Sequence, residues 1–287
     1  MKFRIFIVVL LVVAAAFAGR QVNRMRNAGT NTGGSTRDEI RRSFRLAQGA
    51  RVEVRHINGT VEIETADTVT AEVHIVSTAD NPEDLESRRV IIEDSPDSLV
   101  VRGESGGGGG WWRRLWGGGQ VRQQLRLVIP RGASLAVRHV NGPLAVGEMD
   151  GAVEVRHVNG RVELARVSGR TEVAHVNGGV KLALARLDEQ GMEVSHINGN
   201  VEIRLKESLD ADIDVSNHNG GFALNAPNVT SQERESRSTF RARLGSGGPE
   251  ISIRRVNGNM RFESSASPVA PVKPDAPDAG NLEPPPP

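Results

Sequence analysis

The sequence contains no cysteine and no tyrosine, and only three of its 287 residues are tryptophan and seven phenylalanine. The absence of cysteine excludes disulfide bonds, thiolate metal ligands and cysteine nucleophiles. Because aromatic residues are scarce, a folded core has to be built from Val, Leu, Ile and Ala. Together with 32 glycines, this composition is typical of a repetitive β structure rather than of a compact enzyme.

An excess of charge of one sign is also missing. The 36 Lys and Arg residues face 35 Asp and Glu residues, and the formal net charge is +1. A chain with so little bulk charge has no strong field with which to attract a polyanion. We therefore expect no nucleic-acid partner.

The long apolar run of the chain, residues 5–18, is too short for an ordinary membrane span. It has 14 residues, whereas a spanning helix needs about 20. A basic start precedes it, and Ala16-Phe17-Ala18 fits the small-x-small pattern of signal-peptidase sites. Residues 1–18 are therefore predicted to be a signal peptide and the protein to be extracytoplasmic. A retained N-terminal membrane anchor is the alternative.

Two further segments are predicted to lie outside the fold. Residues 19–48 are polar and are interpreted as a linker, in which Asp38 to Leu46 could form one short helix. Residues 266–287 form a Pro-rich tail, because eight of the 14 prolines fall between Pro268 and Pro287. Such a composition forms neither helix nor sheet and predicts an extended, disordered segment.

The middle of the chain is an internal repeat. The motif Val-Arg-His-Val-Asn-Gly, with one variant, ends at Gly142, Gly160 and Gly178, so it recurs every 18 residues. Related copies end at Gly199, Gly220 and Gly258, and an early copy ends at Gly59. Intervening corners carry Asp150-Gly151 and Ser168-Gly169. Seven Asn-Gly pairs in this context indicate a repeat architecture.

Between the glycines, apolar and polar residues alternate as they do in half-buried strands, for example at Val153 and Val155 around Glu154. The alternation slips before each Asn-Gly, where an apolar residue such as Val158 follows two polar ones. This slip predicts a bend that turns Val158 inward and leaves His157 in solvent. The Asn-Gly pair is expected to supply the positive-φ turn that ends the strand.

Two all-β architectures satisfy this spacing. In a parallel β-solenoid, each coil of 18–21 residues contributes two strands, and equivalent residues stack about 4.8 Å apart. In an antiparallel β meander, each Asn-Gly would be a hairpin turn. Uniform stacking of identical His, Val, Asn and Gly residues favours the solenoid, which is predicted for residues 49–265 with a Gly/Trp insert at 104–120.

The repeats resemble the bacterial putative-adhesin family of β-strand-repeat proteins, a domain of unknown function. The resemblance covers residues 49–263 and includes the step Ile129-Pro130-Arg131-Gly132 that leads into the repeats. The family more often has Ser or Thr where this chain has His-Val-Asn, and it lacks the Trp-rich insert. The resemblance implies a right-handed, parallel β-helix-like fold, an extracytoplasmic surface-binding role and no catalytic residues.

The stacked histidines and asparagines are candidate functional residues. His139, His157, His175 and His196 would stack on adjacent coils. A metal site needs three or four convergent ligands, whereas a single file offers two neighbours, so the pattern favours a solvated ladder without metal or cofactor. The asparagines are expected to satisfy one another from coil to coil.

Paired carboxylates for glycoside hydrolysis deserve a test, because parallel β-helices include polysaccharide-cleaving enzymes. Such sites need two carboxyl groups at a defined separation, one of them buried. The acidic residues of the repeats occupy outward strand positions beside Arg or Lys, as at Glu53, Glu62, Glu154, Glu163, Glu172 and Glu193. This pattern is typical of a charge-balanced sheet face, and we predict no catalytic residues and no enzyme.

The remaining candidate is the insert, in which all three tryptophans fall within six residues between two glycine runs. The candidate contact residues are Trp111, Trp112, Arg113, Arg114, Leu115 and Trp116. They could cover an open solenoid end, since such ends need caps. Alternatively they form an exposed contact for a glycan, a lipid surface or a protein, including a weak contact with a membrane surface.

The sequence as a whole predicts an exported, non-catalytic β-repeat protein that acts as a binding, adhesion or structural module at the bacterial cell envelope. Its envelope ligand is not specified by the sequence. The alternative is a membrane-anchored envelope or signalling component that keeps its N-terminal segment. A polysaccharide-active enzyme is a third hypothesis.

Overall fold

The computed structural model describes residues 36–105, 121–226 and 228–264. The predicted signal peptide, the candidate contact residues 111–116 and the Pro-rich tail all lie outside these residues. Within them, one short helix, α1, spans Pro82–Ser87. No described helix is long and apolar enough to cross a membrane.

Twenty strands make up the rest of the described fold. They are β1 (Thr36–Arg45), β2 (Arg51–Ala66), β3 (Thr70–Ala79), β4 (Arg88–Ser95), β5 (Ser98–Ser105), β6 (Arg122–Pro130), β7 (Ser134–Asn141), β8 (Leu144–Met149), β9 (Val153–Asn159), β10 (Val162–Val167), β11 (Thr171–Asn177), β12 (Val180–Leu184), β13 (Met192–Asn198), β14 (Val201–Leu205), β15 (Ala211–Ser216), β16 (Phe222–Asn225), β17 (Val229–Glu233), β18 (Phe240–Leu244), β19 (Glu250–Asn257) and β20 (Met260–Ser264).

The repeats form the predicted parallel β-solenoid. Each coil places one strand in a first sheet and the next strand in a second sheet, so that β7, β9, β11 and β13 stack in one sheet and β8, β10, β12 and β14 in the other. All of these neighbours run parallel. The antiparallel meander is therefore wrong for the repeats, and the expected coil length of 18–21 residues is confirmed by equivalent asparagines 18 and 21 positions apart.

Coils do not follow one another in chain order at either end. The early copy in β2 stacks directly on β7 and β8, although the segment containing β3 to β6 separates them in sequence. At the other end, β19 lies between β13 and β15, and β20 lies between β14 and β16. The last coil in the sequence is thus the second to last in space.

At both ends of the solenoid, antiparallel strands pair with the strands of the end coils. At the N-terminal end, β3 pairs with β6 and β1 with β3, while β4 pairs with β5 in the other sheet. At the far end, β18 pairs with β15 and β17 with β18. β4 and β5 form a hairpin that turns between Ser95 and Ser98, and β17 and β18 form a second antiparallel pair.

One part of the predicted linker belongs to the fold. Residues 36–45 form β1, not linker and not the short helix expected for Asp38 to Leu46. These residues form a strand rather than a helix because β1 pairs with β3 over ten residues and buries Phe44 in the core. Such tertiary contacts outweigh the local secondary-structure propensity. The folded unit therefore starts within the segment that the sequence assigned to the linker.

The core is one continuous aliphatic cluster between the two sheets. Inward strand positions are filled by Val, Leu and Ile, as the composition predicted, with Met149, Met260, Phe44, Phe240 and Phe262 as the larger additions. Val158, its counterparts in the other coils and the alternating strand valines are buried. Because the sheets fill their interior with side chains, any binding function belongs to the outer surface.

Candidate functional site

Each coil turns between its two sheets at a corner where one exposed residue adopts a left-handed backbone. His56, His139, His157, His175 and His196 have φ between 56° and 57°. This conformation re-aims the chain so that the next residue, such as Val158, enters the core. The positive φ expected at the Asn-Gly pair is found at its glycine in six of the seven copies, with φ of 143° to 157°. The left-handed histidine, three positions before the glycine, is a second positive-φ residue that the sequence did not predict.

The left-handed histidines form a straight column, which we call the histidine ladder (His56, His139, His157, His175 and His196). Neighbouring ring centroids are 4.5 to 4.8 Å apart, and the ring planes differ by only 3° to 9°. All five side chains are exposed. Parallel rings in single file do not converge on a common point, and the described residues contain no group of three His, Cys, Asp or Glu that could hold a metal ion.

Two residues that are not histidine extend the ladder, and the sequence analysis did not assign them to it. Arg255 and Asn217 adopt φ of 58° and 55° in the equivalent slot of the last two coils. The Arg255 Nη1 donates a hydrogen bond to His196 Nε2 over 2.7 Å. The position three residues before each repeat glycine was the signal that could have identified both.

One member of the ladder, His139, has a lowered pKa. Partial burial lowers the pKa of His139, and the neighbouring His56, His157 and Arg138 lower it further. A histidine whose pKa is lower in the folded state than in the unfolded state binds its proton more tightly when the chain is unfolded. The stabilisation that depends on a neutral His139 is therefore fully present above the ordinary histidine pKa. It is lost as the pH falls from that value through the lower pKa of the folded state.

Beside the histidines runs an asparagine ladder of seven members, as the sequence predicted. In the spatial order Asn58, Asn141, Asn159, Asn177, Asn198, Asn257 and Asn219, each side-chain Nδ2 after the first donates to the Oδ1 of the asparagine on the preceding coil over 2.9 to 3.3 Å. The first member, Asn58, donates its Nδ2 to the carbonyl of Val121 at 2.8 Å. The amides thus satisfy one another from coil to coil.

Replacing Asn159 by Ala should destabilise the protein by about 1 kcal/mol, because it removes two ladder hydrogen bonds at an exposed site. Asn219 is the matched control, since it ends the ladder and makes only one of these bonds, to Asn257. Asn219→Ala should therefore cost about half as much. Urea denaturation of both variants measures the difference, and a larger loss for Asn219→Ala would contradict the ladder.

The acidic residues of the repeats lie on the outer sheet faces in ion pairs with arginine. Arg138 Nη2 lies 2.7 Å from Glu154 Oε1, and Arg156 Nη2 lies 2.5 Å from Glu172 Oε1. On the opposite corner, Glu148 accepts hydrogen bonds from both Arg131 and Arg166. These carboxylates are neutralised side by side rather than set apart as an acid and a base, which is the charge-balanced surface that the sequence predicted.

The residues that flank the Gly/Trp insert lie at one end of these two ladders. β5 ends at Ser105, and Val121 is the next described residue. Val121 accepts the hydrogen bond of Asn58, and the Gln123 side chain accepts another from the Asn58 backbone at 3.1 Å. Both flanks of residues 106–120 therefore lie at the same solenoid corner that carries the histidines, one coil before His56.

The fold defines the class of protein as a β-solenoid of short parallel coils with glycine corners. Residues 147–263 match the family model Toastrack DUF4097. This match confirms the predicted resemblance to a putative-adhesin family of unknown function. No curated protein matches the chain.

Three solved structures of bacterial proteins are similar to this chain. A putative cell adhesion protein from Clostridium sporogenes has a TM-score of 0.38 and 10% identity, covering 80% of this chain and 100% of its own. A putative adhesin from Bacteroides fragilis has a TM-score of 0.29 and 8% identity, covering 78% and 97%. A putative adhesin from Parabacteroides merdae has a TM-score of 0.23 and 7% identity, covering 79% and 95%.

Proposed function

We propose that this protein is an exported, non-catalytic β-solenoid that acts as a binding module at the cell envelope, with Trp111, Trp112, Arg113, Arg114, Leu115 and Trp116 as its contact segment. The observation that carries the proposal is the place where the insert joins the fold. Its flanks, Ser105 and Val121, lie at the solenoid corner that carries the exposed histidines, where the carbonyl of the buried Val121 accepts a hydrogen bond from Asn58. The aliphatic core of the described residues is continuous without it.

The tryptophans could alternatively cap an open solenoid end, but the described strands make such a cap less necessary. The coil that carries the insert is formed by β5 and β6, and it is not the terminal layer. In one sheet β4 lies beyond β5, and in the other β3 and β1 lie beyond β6. Antiparallel strands thus already cover this end, which supports a contact role for the insert.

The chemistry of the segment suits an anionic lipid surface. Indole side chains favour the interface between headgroups and water, and each neighbouring arginine adds about 1 kcal/mol of attraction to anionic headgroups. Burying two or three such side chains contributes about 4–6 kcal/mol before the cost of ordering. The glycine runs raise that cost, so we expect a single copy to bind weakly, at about millimolar affinity, and attachment to need many copies.

Replacing Trp111, Trp112 and Trp116 together by Ser is expected to abolish binding to anionic vesicles and to leave the thermal midpoint nearly unchanged. A co-sedimentation assay and a melting curve on both proteins measure the two effects. Val69→Ser is the matched control, because Val69 is an exposed apolar residue of a different turn. It should change neither property.

The opposite pair of results would remove the contact segment from the proposal. If the triple variant melts at a lower temperature and still binds vesicles, the tryptophans pack on the fold. Export has a separate test: the mature N-terminus should begin near residue 19. Recovery of the intact N-terminus in the membrane fraction would favour the anchored envelope or signalling component instead.

A further inference from the structure

The histidine ladder forms a straight, exposed row that is neutral at mildly alkaline pH and gains charge in acid. Its five imidazoles lie 4.5 to 4.8 Å apart along the solenoid axis, and Arg255 continues the row. Imidazole is the side chain whose charge ordinarily changes near pH 6.5. A flat row of this kind can lie along a planar surface, which a curved or recessed cluster cannot do.

The groups around the ladder leave its charge uncompensated. The residues directly before the ladder positions are Arg55, Arg138, Arg156, Ala174, Ser195 and Arg254, and none is acidic. On the other side runs the uncharged asparagine ladder. At the two ends of the histidine ladder, Gly103 lies against the backbone carbonyl of His56, and Arg255 donates a hydrogen bond to His196.

In the described part of the chain, no carboxylate forms an ion pair with a ladder histidine. The acidic residues three positions before ladder histidines are Glu53, Glu154, Glu172 and Glu193. The first three of these pair with Arg55, Arg138 and Arg156. Among the described residues, the ion pair of a histidine is that of His74 with Glu39, on β3 and β1. Protonation therefore turns the ladder into a row of cations rather than into a row of ion pairs.

We propose that the histidine ladder is an acid-responsive lipid-contact edge, which strengthens attachment of the protein to an anionic membrane surface when the pH falls. The proposal rests on the proposed function, because the flanks of the insert lie at the first rung of the ladder and both would face the same surface. The ladder adds regulation: the tryptophans supply a contact at any pH, and the histidines supply charge only in acid.

Repulsion between neighbouring rungs sets the size of the effect. Two charges less than 5 Å apart disfavour each other, so neighbouring rungs are not charged together and the five rungs hold at most three charges. Each cation at an anionic surface improves binding by about fivefold. Three of them allow a gain of up to about a hundredfold, and we expect vesicle binding to be at least about tenfold tighter at about pH 5 than at about pH 7.5.

The chain itself supplies matched variants for the test. Asn217 and Arg255 occupy the same left-handed slot, so asparagine and arginine both fit there. Replacing all five ladder histidines by Asn should preserve binding at about pH 7.5 and remove the gain in acid. Replacing His139, His157 and His175 by Arg should give tight binding at both pH values. His74→Asn, away from the ladder, should keep the full gain.

Co-sedimentation with vesicles of anionic and of zwitterionic lipid at both pH values separates the outcomes. The ladder proposal is overturned if the Asn variant keeps the acid gain, or if zwitterionic vesicles show the same gain. A gain that appears only with a soluble anionic polysaccharide and never with vesicles would overturn the lipid partner. If the Trp→Ser variant binds anionic vesicles as tightly as the parent protein at about pH 7.5 and still gains affinity in acid, the ladder proposal stands and the contact segment of the proposed function fails.

Discussion

Replacing Gly178 by Ala is expected to destabilise the protein by about 3 kcal/mol, one of the largest effects of any single methyl group in this fold. A Cβ on Gly178 would lie 2.3 Å from the backbone oxygen of Gly160 on the neighbouring coil. Its φ of 156° is also unfavourable for residues with a side chain. The contact between the added Cβ and the Gly160 oxygen cannot be relieved unless the two coils move apart.

Gly132→Ala is the control for this substitution. Gly132 precedes the repeats, and a Cβ added there meets no atom within 4 Å. Its replacement should change the free energy of unfolding by less than about 0.5 kcal/mol. Denaturant unfolding of both variants gives the comparison. Equal effects at the two positions would mean that the coils are not packed backbone to backbone at this corner.

The second large effect is expected for Val158→Asp, which places a carboxylate in the core. Val158 is 1% exposed and belongs to the aliphatic cluster, so the charge would have no partner and no water. An unpaired buried charge typically costs about 3–5 kcal/mol. We expect the variant to lose most of its cooperative unfolding transition in a thermal scan followed by circular dichroism.

His157, the adjacent residue, provides the matched control because it points to solvent. His157→Asn keeps a residue that tolerates the left-handed backbone, as Asn217 does in the equivalent slot. Its cost should be about 0.5 kcal/mol or less. If the change at His157 proves more damaging than the change at Val158, the assignment of inside and outside at the corner is wrong.

Much of the fold could be predicted from the repeat itself. Nine-residue spacing between glycines, alternation around Glu154 and an apolar residue before each Asn-Gly define a half-coil with one buried face. Identical residues at intervals of 18 to 21 can then form ladders only if the coils stack in parallel. The histidine and asparagine columns were predictable for the same reason, since period and burial together determine which side chains face outward.

The candidate site was less accessible to sequence reasoning. The Trp-rich segment could be recognised as unusual, but its attachment next to His56 depends on β5 and β6 forming a coil of their own. That coil lacks the His-x-Asn-Gly motif and has Gly103 in the histidine slot. Its membership in the solenoid rests on pairing with β2, which no local pattern of residues 98–130 reveals.

By itself, the sequence determined the coil length, the inward and outward residues, the parallel stacking and the absence of aromatic and disulfide support. Tertiary structure alone decided the order of the coils and the conformation of the corners. β19 lies between β13 and β15 because every coil presents nearly the same edge, so local sequence does not distinguish neighbours. β15 belongs to the last coil because β19 pairs with one of its edges and β18, from the hairpin β17–β18, pairs with the other. The left-handed backbone of the histidines likewise allows the next residue to enter the core. That packing requirement exists only in the folded protein and not in the isolated motif.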